Sequence, residues 1–496
     1  MPAPNEVGFF YGDAGNSGDY RIDSLIGGPY WLSESSSASA TVITYSFPGY
    51  GSAWGPNGYD SGNSEPWGPD FAPLNDWQQD AVRAALESWS DVANIQFVEV
   101  AETSSNVGTM RFAFTGYDMD GSAAYAYYPG YWPEAGDVWI NPTYANDSDW
   151  SAGTYNFSTI IHEIGHALGL KHPFSAGDNG VTLPLAEDDS ANSVMSYSAL
   201  DGNQSSYNVL EPSTPMAYDI LTIQALYGAN TSHNSGNSTY NYAANGDYYE
   251  TIWDGGGTDT IVATGAQSVL INLTAGSWSQ LGAPIRIYGD GMDDVYQSST
   301  VRIAYGVTIE NATGGSGNDT ITGNDADNAI TGGGGSDSIV AGFGSDYIDV
   351  AGTGNSTVNG GNQGDTILGG SGNDELRAGK GLDYINAGAG NDTLYAGLGT
   401  DTMVGGGGSD VFVVRGYDER YPGANLFPRI EDFQDGFDRI AIQGVSDAEI
   451  ATILATQTAI NGGVTLTVDG PKPAIITVMG VSTLDIGDFL SGGSFV

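Results

Sequence analysis

The sequence predicts an α+β domain that is followed by an all-β parallel β-roll and then by a C-terminal β-sandwich-like domain. Residues 1–245 mix helical and strand periodicities, residues 246–413 are dominated by a repeat rich in Gly and Asp, and residues 414–496 return to an ordinary composition. The 496 residues exceed what one core usually organises. A hydrophobic content of 40% is sufficient for globular cores and argues against a disordered chain.

The first region alternates short strands with helices. A helix is predicted over residues 76–90, because apolar residues recur there every four positions on one face. Further helices are predicted over residues 159–168 and 217–227, and Pro215 and Gly228 flank the last of these as start and stop signals. The predicted strands are residues 41–47, 95–100, 110–114, 124–128 and 138–140.

From residue 314 the second region follows the nine-residue pattern G-G-x-G-x-D-x-U-x, in which U is a large apolar residue. The glycines permit a tight turn, and the apolar residue begins a short strand that faces inward. Because successive strands stack in parallel, one repeat is not stable alone. A flexible glycine-rich linker is the alternative, but it does not explain the strict period or apolar residues such as Ile321 and Ile339. The register slips once, at Val350.

The repeats predict several structural Ca²⁺ sites, because calcium prefers carboxylate and carbonyl oxygens as ligands. The carboxylates at position six belong to Asp319, Asp337, Asp346, Asp365, Asp374, Asp383, Asp392, Asp401 and Asp410. The turn glycines expected to contribute are Gly315, Gly317, Gly333, Gly335, Gly370 and Gly372. Asp254 and Asp259 are expected to form an outlying turn of the same kind. Asn328 and Ser356 replace the Asp in two repeats and should weaken calcium binding there.

The charge balance excludes two classes of partner. The chain has 13 Lys and Arg against 60 Asp and Glu, a formal net charge of −47. So few cations cannot build a basic patch, and neither a nucleic-acid partner nor attraction to anionic lipid is expected. No run of about 18 apolar residues predicts a membrane span. There are no cysteines, which excludes disulfides and thiolate metal sites.

The segment from His162 to His172 predicts one catalytic Zn²⁺ site, because it has the spacing H-E-x-x-H-x-x-G-x-x-H. A helix places His162 and His166 on one face, and Gly169 lets the chain leave the helix so that His172 returns as the third ligand. Three protein ligands leave a position open for water, and Glu163 can take the proton of that water as general base. Incidental histidines on a helix are the alternative, and His233 in its Ser/Asn-rich loop is expected to be such a histidine.

Met195 lies downstream in the segment Ser193-Val194-Met195-Ser196-Tyr197, and a methionine that follows this histidine motif is the metzincin signature. It is expected to form a hydrophobic base beneath the zinc. Without the histidine motif, Met195 would be interpreted as an ordinary core residue.

The histidine motif and the repeats together resemble the serralysins, the RTX-bearing metzincin zinc metalloproteases that bacteria secrete as alkaline proteases. Residues 45–48, 88–95, 124–130, 223–230 and 306–312 also look like sequence of that family. The resemblance implies a metzincin protease domain in residues 1–245, an RTX β-roll in 246–413 and a secretion signal in 414–496. It further implies that Tyr197 is an additional zinc ligand in the resting enzyme and acts in catalysis. The family's propeptide and N-terminal helix are not clear in residues 1–35, where a propeptide remnant is one interpretation.

The resemblance also implies partners and a location. Protein and peptide substrates are expected, and Ala124, Tyr125 and Ala126 are expected to lie on an edge strand that pairs with extended substrate backbone. Export through a type I secretion apparatus would place the protein outside the cell, which agrees with an N-terminus that lacks the features of a signal peptide. A proteinaceous inhibitor is a further implied partner, and a monomer is the default assembly.

Three functions remain open from the sequence. The first is a calcium-stabilised metalloendopeptidase, which the intact His162, Glu163 and His172 favour. The second is a non-catalytic RTX adhesin or surface protein. The third is another calcium-dependent RTX hydrolase, such as a lipase or polysaccharide lyase, although no convincing G-x-S-x-G nucleophile segment precedes the repeats.

Overall fold

The computed structural model describes residues 10–32, 40–54, 65–67, 70–103, 106–119, 121–289, 291–415, 426–469 and 474–490. The described residues divide into two compact units. The N-terminal unit is drawn from Met1–Ser235, Asp247–Gly256 and Ala283–Val307, and the C-terminal unit from Gly236–Gly246, Gly257–Gly282 and Thr308–Val496. Segments 247–256 and 283–307 thus belong to the N-terminal unit, whereas the division into three domains at residues 245 and 413 stays a prediction.

A six-stranded sheet organises the N-terminal unit. Its strands run in the order Ile95–Glu99, Thr41–Ser46, Met110–Phe114, Val138–Ile140 and Ala124–Ala126, with Ala72–Pro73 paired to Met110–Phe114. The first four strands in this order are parallel to one another, and every residue of the central strand Met110–Phe114 is buried. The last strand, Ala124–Ala126, is antiparallel to Val138–Ile140 and lies at the end of the sheet.

Four α-helices belong to the described part of this unit: α1 (Tyr20–Asp23), α2 (Asp76–Val92), α3 (Tyr155–Leu168) and α4 (Ala217–Tyr227). Asn75 begins α2 in a capping box with Gln78, which satisfies two backbone N–H groups at the helix start. Trp89 on the buried face of α2 donates from Nε1 to the carbonyl of Ile161, 3.1 Å away, and so joins α2 to α3. Trp77, which the periodicity placed on the same face, is instead 41% exposed and contacts the ring of Trp150.

Smaller elements complete the unit. The 3₁₀ helices are Glu65–Trp67, Pro142–Tyr144 and Leu185–Glu187. Strands Phe10–Asp13 and Pro29–Leu32 form an antiparallel pair, Ser206–Asn208, Ile285–Gly289 and Val295–Gln297 form an antiparallel sheet, and Glu250–Ile252 pairs in parallel with Val301–Ile303. The N-terminal pair packs on the end of α3, because Trp31 donates from Nε1 to the carbonyl of Ala167 at 2.9 Å.

Two long sheets make up the described part of the C-terminal unit. One contains, in order, Thr239–Ala243, Thr260–Thr264, Asn311–Thr313, Ala329–Thr331, Tyr347–Gly352, Thr366–Gly370, Tyr384–Gly388, Thr402–Val404, Arg429–Ile430, Ala474–Met479, Gly463–Val468 and Thr458–Ile460. The other contains Leu270–Asn272, Thr320–Thr322, Ser338–Gly342, Thr357–Asn362, Glu375–Gly381, Thr393–Tyr395, Val411–Arg415 and Arg439–Gln443, with Leu398–Gly399 beside Glu375–Gly381. Successive repeats contribute strands to the two sheets alternately, which confirms the predicted parallel β-roll.

The register of the repeats stacks their apolar residues into two buried columns. Ile321 pairs with Ile339 and Ile339 with Val358 in one sheet, while Ile330 pairs with Ile348 in the other. All five side chains are at most 1% exposed. The pairing of Tyr347–Gly352 shifts between residues 349 and 352, where the sequence period slips. The apolar columns therefore follow from the nine-residue period.

The end of the chain continues both sheets of the roll. Arg429–Ile430 and Arg439–Gln443 each add in parallel to a repeat strand, and the antiparallel strands from Thr458 to Met479 extend one sheet further. The remaining described elements are helix α5 (Asp447–Leu454), the 3₁₀ helix Ile486–Asp488 and one short strand, Trp278–Ser279. None of the described helices has the length and apolar character needed to cross a bilayer.

Candidate metal centre

The three histidines of the sequence motif converge in the N-terminal unit. Nε2 of His172 lies 3.2 Å from Nε2 of His162 and 3.0 Å from Nε2 of His166. The first two histidines stand one helical turn apart on α3. The helix ends at Gly169, whose φ of 109° is left-handed, and the chain then turns back toward the helix. The sequence had predicted this geometry from the spacing and the glycine.

Backbone carbonyls fix the orientation of two of these rings. Nδ1 of His162 donates to the carbonyl of Val194 at 2.8 Å, and Nδ1 of His166 donates to that of Leu170 at 2.7 Å. Because a carbonyl can only accept, both protons are held at Nδ1, and the Nε2 lone pairs face the point of convergence. Burial lowers the pKa of His162 to about 4 and that of His172 to about 3, so both rings are neutral at pH 7.

This arrangement fits a zinc ion. Four tetrahedral bonds of about 2.0–2.1 Å place ligand nitrogens about 3.3 Å apart, close to the observed Nε2 separations. The three histidines form the cluster of potential metal ligands found among the described residues. Neutral imidazoles held by second hydrogen bonds are the donor set that zinc uses in proteins.

Glu163 follows the first histidine on α3 and is 5% exposed. Its Oε2 is buried and accepts no hydrogen bond within the described chain. Burial raises the pKa of this carboxyl group to about 8. A cation at the neighbouring histidines would lower that pKa again, because it favours the charged carboxylate. The group is therefore suited to exchange a proton near neutral pH.

Met195 packs beneath the histidine helix and is fully buried. A Cβ atom added at Gly165 would lie 2.6 Å from Sδ of Met195, so the methionine occupies the space that this glycine leaves open. Gly165 stands between the two histidines of α3. Met195 therefore makes a close contact with the helix that carries His162 and His166, whereas its role as a hydrophobic base beneath a metal stays a prediction.

Tyr197 and Phe174 surround the third histidine. The ring centroid of Tyr197 lies 4.5 Å from that of His172 and 5.5 Å from that of His162, and the tyrosine is 52% exposed. Burial of its hydroxyl raises the pKa of Tyr197 to about 12, with a smaller contribution from Glu163. Phe174 stacks on His172 at 5.0 Å with an interplanar angle of 7°. The sequence analysis missed Phe174, and only its position two residues after the last histidine could have indicated it.

A cavity of about 410 Å³ opens beside the histidines. His162, Glu163 and Tyr197 line it, and so does Ala124 of the predicted substrate strand. Tyr125 and Ala126 lie on the same edge strand, paired with Val138–Ile140, but they do not line the cavity. The edge position agrees with the expected strand, whereas substrate binding by these residues stays a prediction.

Two buried ionisable residues make hydrogen bonds around the centre and were not predicted. Asp219 accepts hydrogen bonds from Oγ of Ser193 at 2.6 Å and from the backbone N–H groups of Val194 and Met216 at 2.7 and 2.8 Å. Nζ of Lys171 donates to the carbonyls of Ser24, Ser175 and Val181. The bonds of Asp219 to Ser193 and Val194, and of Lys171 to Ser24, join segments distant in sequence, so no local pattern could have indicated them.

The aspartates of the repeats form a buried ladder in the C-terminal unit. The backbone N–H of Asp319 donates to Oδ1 of Asp337, 2.9 Å away and one turn of the roll later. The same type of bond joins Asn328 to Asp346, Asp346 to Asp365, Ser356 to Asp374, Asp365 to Asp383, Asp374 to Asp392, Asp383 to Asp401 and Asp392 to Asp410. The ladder continues to Asp438, which the repeat alignment missed although residues 436–440 keep the G-x-D-x-U spacing.

The second oxygens of these carboxylates differ along the roll. Oδ2 of seven aspartates is buried and accepts no hydrogen bond within the described chain; these are Asp337, Asp346, Asp365, Asp374, Asp383, Asp392 and Asp410. In Asp319, by contrast, both oxygens accept backbone N–H bonds, from Gly315 and Val269. Burial raises the pKa of Asp374 to about 6 and that of Asp365 to about 7. The free carboxylate oxygens mark the turns that suit a cation best.

The turn glycines have a steric role. Gly333 and Gly335 have φ angles of 94° and 99°, and a Cβ at either position would collide with a backbone carbonyl of the preceding turn. Gly315, Gly317, Gly370 and Gly372 occupy equivalent turns. Asp254 lies in the N-terminal unit, where its Oδ1 accepts from the N–H of Gly256, and Asp259 lies in the C-terminal unit. His233, expected to be incidental, lies away from the cluster and pairs with Asp91 at 3.0 Å.

Comparisons with known proteins agree with this architecture. Residues 72–208 match the family model for Matrixin, and residues 217–470 match the model for the Peptidase M10 serralysin C terminal. Serralysin C of Dickeya chrysanthemi is 37% identical over 272 residues, which are 51% of this chain and 54% of that protein. Serralysin B of the same organism is 34% identical over 316 residues, 59% and 60% of the two chains. Metalloprotease AprA of Pseudomonas entomophila is 36% identical over 278 residues, 51% and 54%.

The α+β fold, the three converging histidines and the methionine beneath them define a metzincin domain, which is joined here to a parallel β-roll. The chain belongs to the serralysin family. It spans about half the length of the curated relatives that it matches.

Proposed function

We propose that this protein is a zinc-dependent metalloendopeptidase that hydrolyses peptide bonds in proteins. The observation that carries the proposal is the convergence of three neutral imidazoles beside a buried carboxylate with an unpaired oxygen. His162, His166 and His172 would hold the metal. A bound zinc supplies Lewis-acid activation of water and of the scissile carbonyl. Membership of the serralysin family supports the same activity.

The other residues of the site have separate roles in the proposed reaction. Glu163 accepts the proton of the attacking water at its unpaired Oε2 and delivers it to the leaving amine. Tyr197, whose hydroxyl keeps its proton at neutral pH, donates a hydrogen bond to the oxyanion as it forms. If Tyr197 is also a metal ligand in the resting enzyme, its hydroxyl would have to leave the metal before it donates to the oxyanion. The edge strand Ala124–Ala126 would pair with extended substrate backbone along the cavity.

The first experiment compares casein hydrolysis by the wild-type protein and by Glu163→Gln, with bound zinc measured in both. Because the variant lacks only the base, its kcat should fall by about 10²–10⁴-fold while it keeps about one zinc per chain. Glu87→Gln, an exposed substitution of the same type on α2, is the matched control and should retain full activity.

Two other results would count against the proposal. Equal activity of the wild type and Glu163→Gln would remove Glu163 from the mechanism. A folded, zinc-loaded and inactive wild type would favour the non-catalytic binding protein instead.

We also propose that several Ca²⁺ ions stabilise the β-roll. The seven repeat aspartates whose buried Oδ2 accepts no hydrogen bond within the described chain support this, because an uncompensated buried carboxylate is costly and calcium prefers such ligands. Asp319, whose oxygens are already bonded to backbone N–H groups, would contribute less. Isothermal titration of the calcium-free protein would count the sites.

Membership of the serralysin family supports a proposal for the location of the protein and for its remaining partners. We propose that the protein acts outside the cell and leaves it through a type I secretion apparatus that recognises the C-terminal region. The proposed stabilisation of the roll by calcium would suit this location, because calcium is abundant outside the cell. Appearance of the protein in the medium, lost when residues 414–496 are deleted, would test the route. A proteinaceous inhibitor and a monomeric state stay predictions.

A further inference from the structure

The cavity beside the metal centre extends along one face of α3. Five positions of this helix line it: Tyr155, Ser158, Thr159, His162 and Glu163. At a rise of about 1.5 Å per residue, the face from His162 back to Tyr155 is about 10 Å long. The cavity therefore reaches from the candidate catalytic residues to the start of the helix.

Glu211 lines the far end of this cavity. Its backbone N–H donates to the carbonyl of Gly153, 2.9 Å away, which places it beside the first turn of α3. Its Oε2 accepts a hydrogen bond of 3.2 Å from Nδ2 of Asn208. A second carboxyl group thus lies in a pocket that also contains Glu163.

Two neighbouring polar side chains each have an oxygen that accepts no hydrogen bond within the described chain. Nδ2 of Asn208 donates to Ser190 and to Glu211, which identifies its Oδ1 as the acceptor atom. This Oδ1 and Oγ of Ser198 are buried and have no hydrogen-bond partner within the described chain, and both residues belong to the lining of the cavity. Asn208 is 7% exposed and Ser198 is 1% exposed. Unpaired buried acceptors of this kind are costly and are complemented by a ligand that donates.

The described side chains that line the cavity supply no positive charge to compensate the carboxyl group of Glu211. Among the described residues that line it there is no Lys or Arg. A lysine ammonium brings three donors and an arginine guanidinium five, and neither accepts a hydrogen bond. Their apolar stems suit the space between the helix and Val194 or Ala199, which also line the cavity.

On this basis, and resting on the proposed endopeptidase function, we infer that the cavity selects substrates with a Lys or Arg side chain next to the scissile bond. Glu211 is the counter-ion, and Asn208 and Ser198 supply further acceptors. The formal net charge of −47 would also attract cationic peptides to the protein.

The burial of Glu211 supports its assignment as the counter-ion. It raises the pKa of Glu211 to about 7, against a smaller lowering by Asn208. A cation in the cavity would restore the ionised form, because an opposite charge nearby favours the carboxylate. An alternative role for Glu211 is to stabilise the positive end of α3, which would affect folding and not substrate choice.

The test uses the zinc-loaded full chain and two fluorogenic peptides that differ only by Lys or norleucine next to the cleaved bond, which mass spectrometry locates. Norleucine keeps the stem of lysine and lacks its charge. We expect kcat/KM for the lysine peptide to exceed that for the norleucine peptide by about tenfold or more. In Glu211→Gln the ratio should fall to within about twofold, and Glu211→Asp should keep a preference for lysine.

Matched controls distinguish a failure of this inference from a failure of the proposed endopeptidase function. Glu87→Gln changes the net charge equally and should leave the wild-type ratio intact. A wild type that cleaves casein but shows no preference for lysine overturns the inference and leaves the endopeptidase proposal standing, even if Glu211→Gln does not fold. A zinc-loaded wild type that cleaves neither casein nor either peptide overturns both.

Discussion

At the residue scale, the orientation of the histidines depends on a carboxylate that is distant in sequence. Asp219 in the first turn of α4 accepts from the backbone N–H of Val194, and the carbonyl of Val194 accepts from Nδ1 of His162. The same aspartate bonds Ser193, so it holds the segment that carries Met195. Positioning of this kind raises metal affinity without contact to the metal.

Asp219→Ala should weaken zinc binding about 10–100-fold, because the segment bearing Val194 loses its anchor. It should also lower the free energy of unfolding by about 2–4 kcal/mol, since three donors lose their acceptor. Zinc affinity would be measured by competition with a chelator, and stability by urea unfolding. The exposed Asp247→Ala is the control. Unchanged zinc affinity in a destabilised Asp219→Ala would reduce Asp219 to a purely structural residue.

The sequence predicted the residues whose role follows from spacing. His162, His166, His172 and Gly169 could be placed because a helix and its left-handed end determine where each side chain points. Asp219 and Glu211 could not be predicted, because they reach the centre only through tertiary packing of later segments. Nothing in a local pattern distinguishes them from the many other acidic residues of this chain.

At the scale of elements, packing shifted the boundaries that periodicity predicted. Helix α4 has the predicted bounds, whereas α3 begins at Tyr155, four residues before the predicted start. Its first turn contains Asn156 and Ser158, which interrupt the apolar period, and Thr154 caps it by accepting from the N–H of Phe157. The edge strand ends at Ala126, two residues before its predicted end, and the N–H of Tyr127 still donates to the carbonyl of Asp137.

The contact between α3 and Met195 gives a prediction for the helix. Alanine is favoured over glycine in a helix by about 1 kcal/mol. At Gly165, however, a Cβ would lie 2.6 Å from Sδ of Met195 and 3.2 Å from the ring of Trp89. Gly165→Ala should therefore lower the free energy of unfolding by about 1–3 kcal/mol in spite of its helix propensity.

Urea unfolding of a double-mutant cycle checks this explanation. If the clash with Met195 causes the loss, Gly165→Ala should cost less in a Met195→Ala background, where the side chain that it meets is shorter. Equal costs in both backgrounds would assign the loss to Trp89 or to backbone strain instead.

At the scale of the whole molecule, the nine-residue period predicted the structure of the C-terminal unit far better than the mixed helix and strand pattern predicted that of the N-terminal unit. Each repeat contacts its neighbours along the roll, so the period alone implies register, buried columns and the ladder of aspartates. The N-terminal unit has long-range pairings, such as Thr41–Ser46 beside Ile95–Glu99, that no period encodes. The roll also gathers acidic groups into its interior, which links its stability to cations and protons.

The calcium-free roll should lose stability as the pH rises from about 4 to about 7. Burial raises the folded-state pKa of Asp365 to about 7 and of Asp374 to about 6, above an unfolded value of about 3.9. In that window the folded state binds more protons than the unfolded state, so deprotonation favours unfolding. Calcium favours the charged carboxylates and should reverse the trend, so its stabilising effect should be larger near pH 7 than near pH 4.

Thermal melts followed by circular dichroism, with and without calcium at several pH values, measure this directly. General repulsion among acidic groups would act in the same direction, so two variants of equal charge separate the causes. Asp374→Asn removes a buried carboxylate with an unpaired oxygen and should raise the calcium-free Tm near pH 7, whereas Asp325→Asn on the surface should change it much less. Equal shifts in the two variants would assign the effect to net charge, and a calcium-free Tm that rises with pH would show that the buried aspartates are not protonated in the folded roll.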